Sequence, residues 1–446
     1  MSSHSELLYE RFSLQLCSNW QEWFDDYATR LELPGLLRNP VSVEELCSDN
    51  PASIWPGFML PDSLPLLSNE YGDWICGRVG EDDTLAELVY WYHGGGDWIP
   101  VGRRMAEAVL HDAVDQFRDL KTQMLRGASE SRIGVEAGCL LRLDSPAVRR
   151  WLSESLAEQV AESDVLVASV IQALSDEDYH GALNKLWECG VACEAVACDL
   201  IDVFLQAPLR RIATREVADA CSIPWFPDFV SLLFDVAAAS ETHIRLLENQ
   251  LNPASLQNGE VGSLQGWDEA ALIADSILER RTDLGWATTI SGWYRERSGR
   301  LDEAIAVYIR GVSASSFTDQ AVRLNSHAEA DELGKFALAR LASLHGKGGL
   351  QGKLEASDGY TQLLMADRKR SLLAEVSDYW WSMAEAAESE SRFADAYDMY
   401  ARCGWDMGVS RLDSYPRILE SLARVAEKAG WAARAAVAQA HLRRMP

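Results

Sequence analysis

From Ser145 to the C-terminus almost every segment reads as helix. Alanine, leucine, glutamate and arginine are abundant, and no β-branched alternation interrupts them. Ser145-Pro146 is a helix start, with serine as N-cap and proline at the first helical position. Breaks fall at Pro208, at Ser222 to Pro227, at Asn252-Pro253 through Gly266, and at Gly346 to Gly352. The stretch Gln257 to Gly266, with three glycines, is the expected linker between two helical blocks. Any sheet is thereby confined to the N-terminal part. At 446 residues the chain also exceeds what one hydrophobic core usually encloses. We expect an α+β binding domain over residues 1–125, a helical block over 145–256 and helical repeats over 267–446.

The first 125 residues have a different texture. Trp20, Trp23, Phe24, Tyr27 and Leu31 recur at helical spacing, an apolar stripe with Glu22, Asp25 and Asp26 opposite. Asn19 and Glu22 suit a capping box, and Pro34-Gly35 ends the run. From Asn50 onward Pro51, Pro56, Gly57, Pro61 and Pro65 break helices. Residues Trp74–Val79 and Leu85–Tyr92 predict two strands, joined by the turn Gly80-Glu81-Asp82-Asp83 into an antiparallel hairpin. After Gly94-Gly95-Gly96-Asp97-Trp98-Ile99-Pro100, the spacing of Met105, Val109, Ala113 and Phe117 predicts a helix.

The succession Leu64-Pro65-Leu66, Gly72-Asp73-Trp74-Ile75-Cys76, Val89-Tyr90-Trp91-Tyr92-His93, then Trp98 and a closing helix resembles the core of the SUKH superfamily. That family includes Smi/Knr-type regulators of fungal cell-wall synthesis and bacterial immunity proteins that neutralise toxins. The resemblance covers roughly residues 20–120 and is firmest over 54–112. The family's usual Leu-Pro-x-x-tyrosine helix and Asn-Gly turn are represented here only by Leu33-Pro34-Gly35. The resemblance implies a mixed sheet with flanking helices, a protein partner and no shared catalytic apparatus.

Toward the C-terminus the sequence repeats. One unit carries Gly292, Gly299, Ala304 and Tyr308; a second carries Trp380, Ala384, Ala396 and Tyr400; a third carries Ala423, Gly430 and Ala435. In each, a small residue of the first helix precedes a small residue of the second by 12 positions. This resembles the tetratricopeptide pattern, in which small residues let antiparallel helices approach and an aromatic packs on the next repeat. It implies a helical solenoid, an architecture that curves into a binding surface.

Charge and chemistry narrow the function. The net charge of −27 opposes nucleic-acid binding. Residues 1–100 hold 17 Asp+Glu against 4 Lys+Arg, an acidic face that can steer a basic partner. The nine cysteines follow no secreted framework, the N-terminus has no signal-peptide pattern, and the greasiest window, Phe229 to Ala239, is short and holds Asp235. A cytoplasmic protein without membrane spans is expected. Cys189, Cys193 and Cys198, read as one helix, lack the spacing and the histidine of a zinc set. The run Asp176-Glu177-Asp178-Tyr179-His180 lacks the calcium-loop glycine and reads as a helix start or turn. Gly94-Gly95-Gly96 is not followed by the lysine of a phosphate loop, and His93 with Asp97 has no nucleophile beside it. No catalytic, cofactor or metal site is expected.

The expected function is therefore protein–protein interaction. The acidic head engages a protein partner, which in the immunity branch of the family is a toxin. The alternative is a scaffold that binds endogenous partners through its helical repeats. The expected contact residues are Asp73, Asp82, Asp83, His93, Asp97 and Trp98, because recognition residues gather in turns and loops at the ends of a sheet.

Overall fold

The computed structural model describes residues 3–69, 71–92, 97–124, 133–205, 265–282, 284–313, 337, 340, 341, 344, 359–366, 373–405 and 413–445. Its N-terminal part is built on a five-stranded sheet: β1 (Asn39–Pro40), β2 (Ser63–Ser68), β3 (Trp74–Val79), β4 (Leu85–Tyr92) and β5 (Asp97–Gly102). The strands lie in sequence order and every neighbouring pair is antiparallel, so the sheet is a meander rather than the mixed sheet expected. Strands β3 and β4 occupy the segments expected from their patterning. Strands β2 and β5 were hidden by their prolines. Pro65 sits at a register shift in β2, and Pro100 lies in β5, opposite a register shift in β4. These are the positions where a strand tolerates a residue with no N–H.

Helices α1 (His4–Phe12) and α2 (Ser18–Glu22) precede the sheet, and α3 (Val43–Leu46) follows β1. The apolar stripe of α2 is core, with Trp20, Trp23 and Phe24 buried. The expected capping box is absent: the helix starts at Ser18 with Cys17 as N-cap and no side-chain cap. It also ends sooner, in a π-helical turn over Trp23–Tyr27 that closes with the Ala28 N–H on the Trp23 carbonyl.

After the sheet come α4 (Met105–Met124), α5 (Ile133–Leu143), α6 (Pro146–Leu156), α7 (Ser163–Ser175), α8 (Tyr179–Glu188) and α9 (Cys193–Leu205). The Ser145 hydroxyl accepts from the Val148 N–H and caps α6 as expected. Asp178 caps α8, which makes the Asp176–His180 run a helix start. The three cysteines of the 189–198 stretch do not share one helix. Cys189 ends α8, Cys193 opens α9, and Gly190 and Ala192 between them have positive φ of 70° and 47°. One apolar core joins Phe12, Trp23, Ile75 and Leu88 to Cys139, Trp151, Val170 and Val196. Burial is thus continuous across the division expected between 125 and 145. The linker expected at 257–266 lies outside the described residues, save Gln265 and Gly266, which begin a helix.

Among the described residues the C-terminal helices are α10 (Gln265–Leu278), α11 (Gly285–Arg297), α12 (Leu301–Ser313), α13 (Gly359–Ala366), α14 (Leu373–Ser389), α15 (Phe393–Trp405), α16 (Tyr415–Ala429) and α17 (Ala432–Arg444). Three pairs form tight hairpins: α11 with α12, α14 with α15, and α16 with α17. Each turns on a left-handed residue, Gly299 (φ 76°), Ser391 (φ 61°) and Gly430 (φ 83°). A Cβ on Gly292 would lie 2.4 Å from the Tyr308 ring, so the small residue is what lets α12 approach α11.

One turn after each first-helix small residue stands a glutamate, and it bonds a residue 12 positions on. The Tyr308 hydroxyl donates to Glu296 at 2.9 Å, the Tyr400 hydroxyl to Glu388 at 3.1 Å, and the Gln439 amide to Glu427 at 3.2 Å. An arginine from further along the chain completes the first two, Arg340 on Glu296 and Arg424 on Glu388. Lys428 adds a third donor to Glu388 at 2.7 Å. The Arg424, Lys428 and Tyr400 hydrogen bonds prevail over partial burial and hold the Glu388 carboxyl down to about 2.

The last hairpin closes the chain on itself. Ala433, Val437 and Ala440 of α17 are buried in the same core as Leu8, Phe12 and Leu64. The Ala433 N–H donates to the Asp83 carboxylate at 2.8 Å, Arg434 Nε to the Val79 carbonyl at 2.9 Å, and His441 Nε2 to the Ser63 carbonyl at 3.0 Å. Arg444 reaches Asn50 and the Ile54 carbonyl. Replacing Glu388 with alanine should strand the buried Tyr400 hydroxyl and destabilise the chain by about 2 kcal/mol. Thermal unfolding checks this, with the exposed Asp378→Ala near neutral as its control.

Candidate interaction surface

Strand pleating sends alternate side chains to opposite faces of the sheet. One face, with Leu64, Leu67, Ile75, Leu88, Tyr90 and Val101, lies in the main core. The other carries Trp74, Cys76 and Arg78 on β3 beside Glu87, Val89 and Trp91 on β4, paired Trp74 with Trp91, Cys76 with Val89 and Arg78 with Glu87. The two ends of that second face have different fates.

At the end nearest the β3–β4 hairpin the face is electrostatic and covered. Arg78 bonds the buried Asp62 at 2.8 Å and Glu87 at 3.2 Å, and Arg281, three residues beyond α10, pairs with Glu87. Burial alone would raise the Asp62 pKa; the charge and hydrogen bonds of Arg78 more than reverse this, and it lies below its ordinary value.

At the opposite end the face is aromatic and partly open. Trp74, Trp91 and Trp98 are consecutive register partners across β3, β4 and β5. The loop before β2 folds over Trp91. Trp55 meets Trp91 edge-on at 6.3 Å between centroids, and the Trp91 indole N–H donates to the Phe58 carbonyl at 2.9 Å. Met59, Cys76, Val89 and Trp91 form a small buried cluster of their own. Trp55 remains 44% exposed, and Tyr71, at the tip of the β2–β3 turn, is 71% exposed. Large aromatic rings left uncovered beside a packed aromatic base are a common signature of a contact surface.

The described backbone places five of the six expected contact residues at two ends of the sheet. Asp73 sits at the aromatic end, where it shapes the turn: its N–H donates to the Asn69 side chain at 2.9 Å, and its carboxylate accepts from the Asn69 amide at 2.9 Å. Asp97 and Trp98 open β5 at the same end, opposite Tyr92 and Trp91. His93 lies outside the described residues. Asp82 and Asp83 stand at the other end of β3, roughly 17 Å away along a strand of this length. Asp82 is exposed and accepts from the Thr84 hydroxyl at 2.7 Å, which lowers its pKa. Asp83 is engaged inside the molecule, with φ 60°, its carboxylate on the Ala433 N–H and its carbonyl on the Gln15 N–H.

Trp55 and Tyr71 were missed by sequence reasoning. The signal was present, since Trp55 precedes Pro56-Gly57 and Tyr71 precedes Gly72, and large aromatics inside turn sequences have little core to enter.

A second group of polar residues is buried. Helix α4 carries Glu107, His111, Asp112 and Gln116 inward, and α9 adds Asp199. His111 Nε2 lies 2.8 Å from the Asp199 carboxylate. Burial pulls the His111 pKa down, but the Asp199 hydrogen bond and charge, with Asp115 and Asp112, leave it raised. Asp112 accepts from the Leu37 N–H at 3.1 Å, and burial pushes it up to about 7. A Cβ on Gly35 would fall 1.7 Å from the Asp112 carboxylate, so that glycine makes room for the acid. Among the described residues no group of three or more His, Cys, Asp and Glu side chains could hold a metal ion, and no helix is long and apolar enough to cross a membrane.

The chain matches no family model, no curated protein and no solved structure.

Asp112 makes a signed prediction. Its folded pKa near 7 stands above the ordinary 3.8, so its contribution to stability falls as pH rises between about 4 and 7. Asp112→Asn should flatten that part of the profile, measured as unfolding free energy by urea titration from pH 4 to 8.

Proposed function

We propose that this chain is a non-catalytic protein-binding protein of the SUKH type, whose α+β head engages a basic polypeptide at the aromatic end of its sheet. The observation that carries the proposal is the exposure of Trp55 against the packed Trp91, with Tyr71 exposed in the β2–β3 turn at the same end of the sheet. Charge supplies the partner's sign. Residues 51–100 contain eight Asp+Glu and a single basic residue, Arg78, which is engaged by Asp62 and Glu87. A cationic segment meets long-range attraction there and aromatic faces at contact, where cation–π stacking operates. In the immunity reading the basic partner is a toxin that this chain blocks.

The scaffold reading has its own support. The Glu296–Tyr308, Glu388–Tyr400 and Glu427–Gln439 pairs repeat one device in three hairpins. Such repetition is what a tetratricopeptide-like solenoid would show, and that array would present further binding surface. The two readings are compatible in one chain, with the head choosing the partner and the hairpins organising the assembly.

The test is partner capture by the full chain, followed by affinity measurement with the captured protein. Trp55→Ala with Tyr71→Ala should weaken binding thirtyfold or more, the scale of about 2 kcal/mol at a hot spot. Asp82→Asn, at the far end of β3, should change it by less than about threefold. In the immunity reading, the same double variant should lose rescue of cells from the cognate toxin. Unchanged affinity in the double variant, or an acidic partner, contradicts the proposal.

A further inference from the structure

His441 is a titratable group that the aromatic surface does not use. It lies fully buried on α17, with Nε2 3.0 Å from the Ser63 carbonyl. A carbonyl can only accept, so Nε2 carries the ring proton and Nδ1 is bare. Nδ1 is itself buried and has no hydrogen-bond partner. A proton added there creates an imidazolium out of water whose new N–H has nothing to donate to.

The backbone geometry shows what this histidine holds. The Asp62 carbonyl faces β3, where it accepts from the Val79 N–H. The next carbonyl along, that of Ser63, therefore points to the outer edge of β2. The β1 segment covers that edge only from Leu66 to Ser68, its last bond being the Val41 N–H on the Leu66 carbonyl. His441 takes the place of a strand partner at Ser63, and α17 covers the edge that β1 leaves.

The charges around it do not offset the burial. Asp62 is the acid that favours the charged ring, and it is already held by Arg78 with Arg434 nearby. On its own helix His441 is flanked by Arg434, Arg443 and Arg444; from α1 comes Arg11, and Asp49 lies beside Arg11 and Arg443. Burial dominates, and the His441 pKa is pulled to about 4.

We propose that α17 is a proton-released latch: mild acid charges His441 and loosens the helix from the edge of β2, parting the last hairpin from the sheet. The sign follows from linkage. A folded histidine depressed below its ordinary 6.5 contributes fully above that value, and the contribution is lost as pH falls from there toward 4. Asp112 acts in the opposite direction over part of this range, so the latch has to be read locally and not from global stability.

Two measurements on the full chain test it. In histidine-labelled protein, the His441 ring should titrate well below 6.5. Amide exchange over residues 432–444, corrected for intrinsic rates, should report at least about tenfold more frequent opening at pH 5.0 than at pH 7.5. His441→Gln can still donate to Ser63 and cannot charge, so its exchange should be the same at both pH values. A ring that titrates at 6.5 or above overturns the latch, and so does exchange in α17 that is independent of pH or accelerates equally in His441→Gln. The wild-type ring titration decides the matter alone if the glutamine variant does not fold.

Discussion

The sheet is not finished until the last helix arrives. Strand β2 has a neighbour over its whole length on one side and, among the described strands, only the short β1 segment, extended by the Val41 N–H on Leu66, on the other. An open strand edge is an exposed row of hydrogen-bonding groups, and native proteins cover it. Here the cover comes from the far end of the chain, through His441 on Ser63 and the apolar face of Ala433, Val437 and Ala440, while Arg434 holds the Val79 carbonyl at the end of β3. The N-terminal sheet and the C-terminal hairpin therefore belong to one packing unit, although nearly the whole sequence lies between them. That closure also decides which end of the sheet is left open.

The closed end is built from charge. Asp62, Arg78, Glu87 and Arg281 form a chain of alternating sign between the sheet and α10, mostly out of solvent. Buried pairs of this kind contribute little net stability, because desolvation offsets most of the attraction, but breaking one partner leaves a charge stranded. Arg281 on Glu87 ties the segment after α10 to β4. The open end is built from rings. Trp91 is buried against Trp55 and the Phe58 carbonyl, while Trp55 and Tyr71 keep much of their area in water. The division of the face into a charged, occupied half and an aromatic, exposed half underlies the reading of this chain as a binder.

Much of the local structure was legible in the sequence. Strands β3 and β4, helix α4 and the Ser145 cap follow from patterning and cap chemistry that act within a few residues. The small residues 12 apart fall in the three hairpins, and at Gly292 the close approach of Tyr308 demands one. The glutamates that bond across those hairpins have the same spacing but look like ordinary surface acids until the partner helix is placed. Prolines hid β2 and β5, since a proline at a bulge or an edge keeps its local signal and loses its usual consequence. Asp83 shows the limit most plainly. In sequence it is an acidic turn residue suited to contact a partner; in the fold its carboxylate meets the first turn of α17. Its contact is with a residue 350 positions away, and no local pattern carries that information.

The proposed division of labour, an aromatic sheet end for the partner and a hairpin array behind it, depends on head and tail being one body. The most direct measurement is amide exchange across residues 62–79 in the full chain and in a chain ending at Gly430. If α17 completes the sheet, its removal sharply lowers protection in β2 and β3 while the α14–α15 hairpin keeps most of its own. Equal protection of β2 and β3 in the two chains would show that the head is finished without its last helix, and would contradict the account.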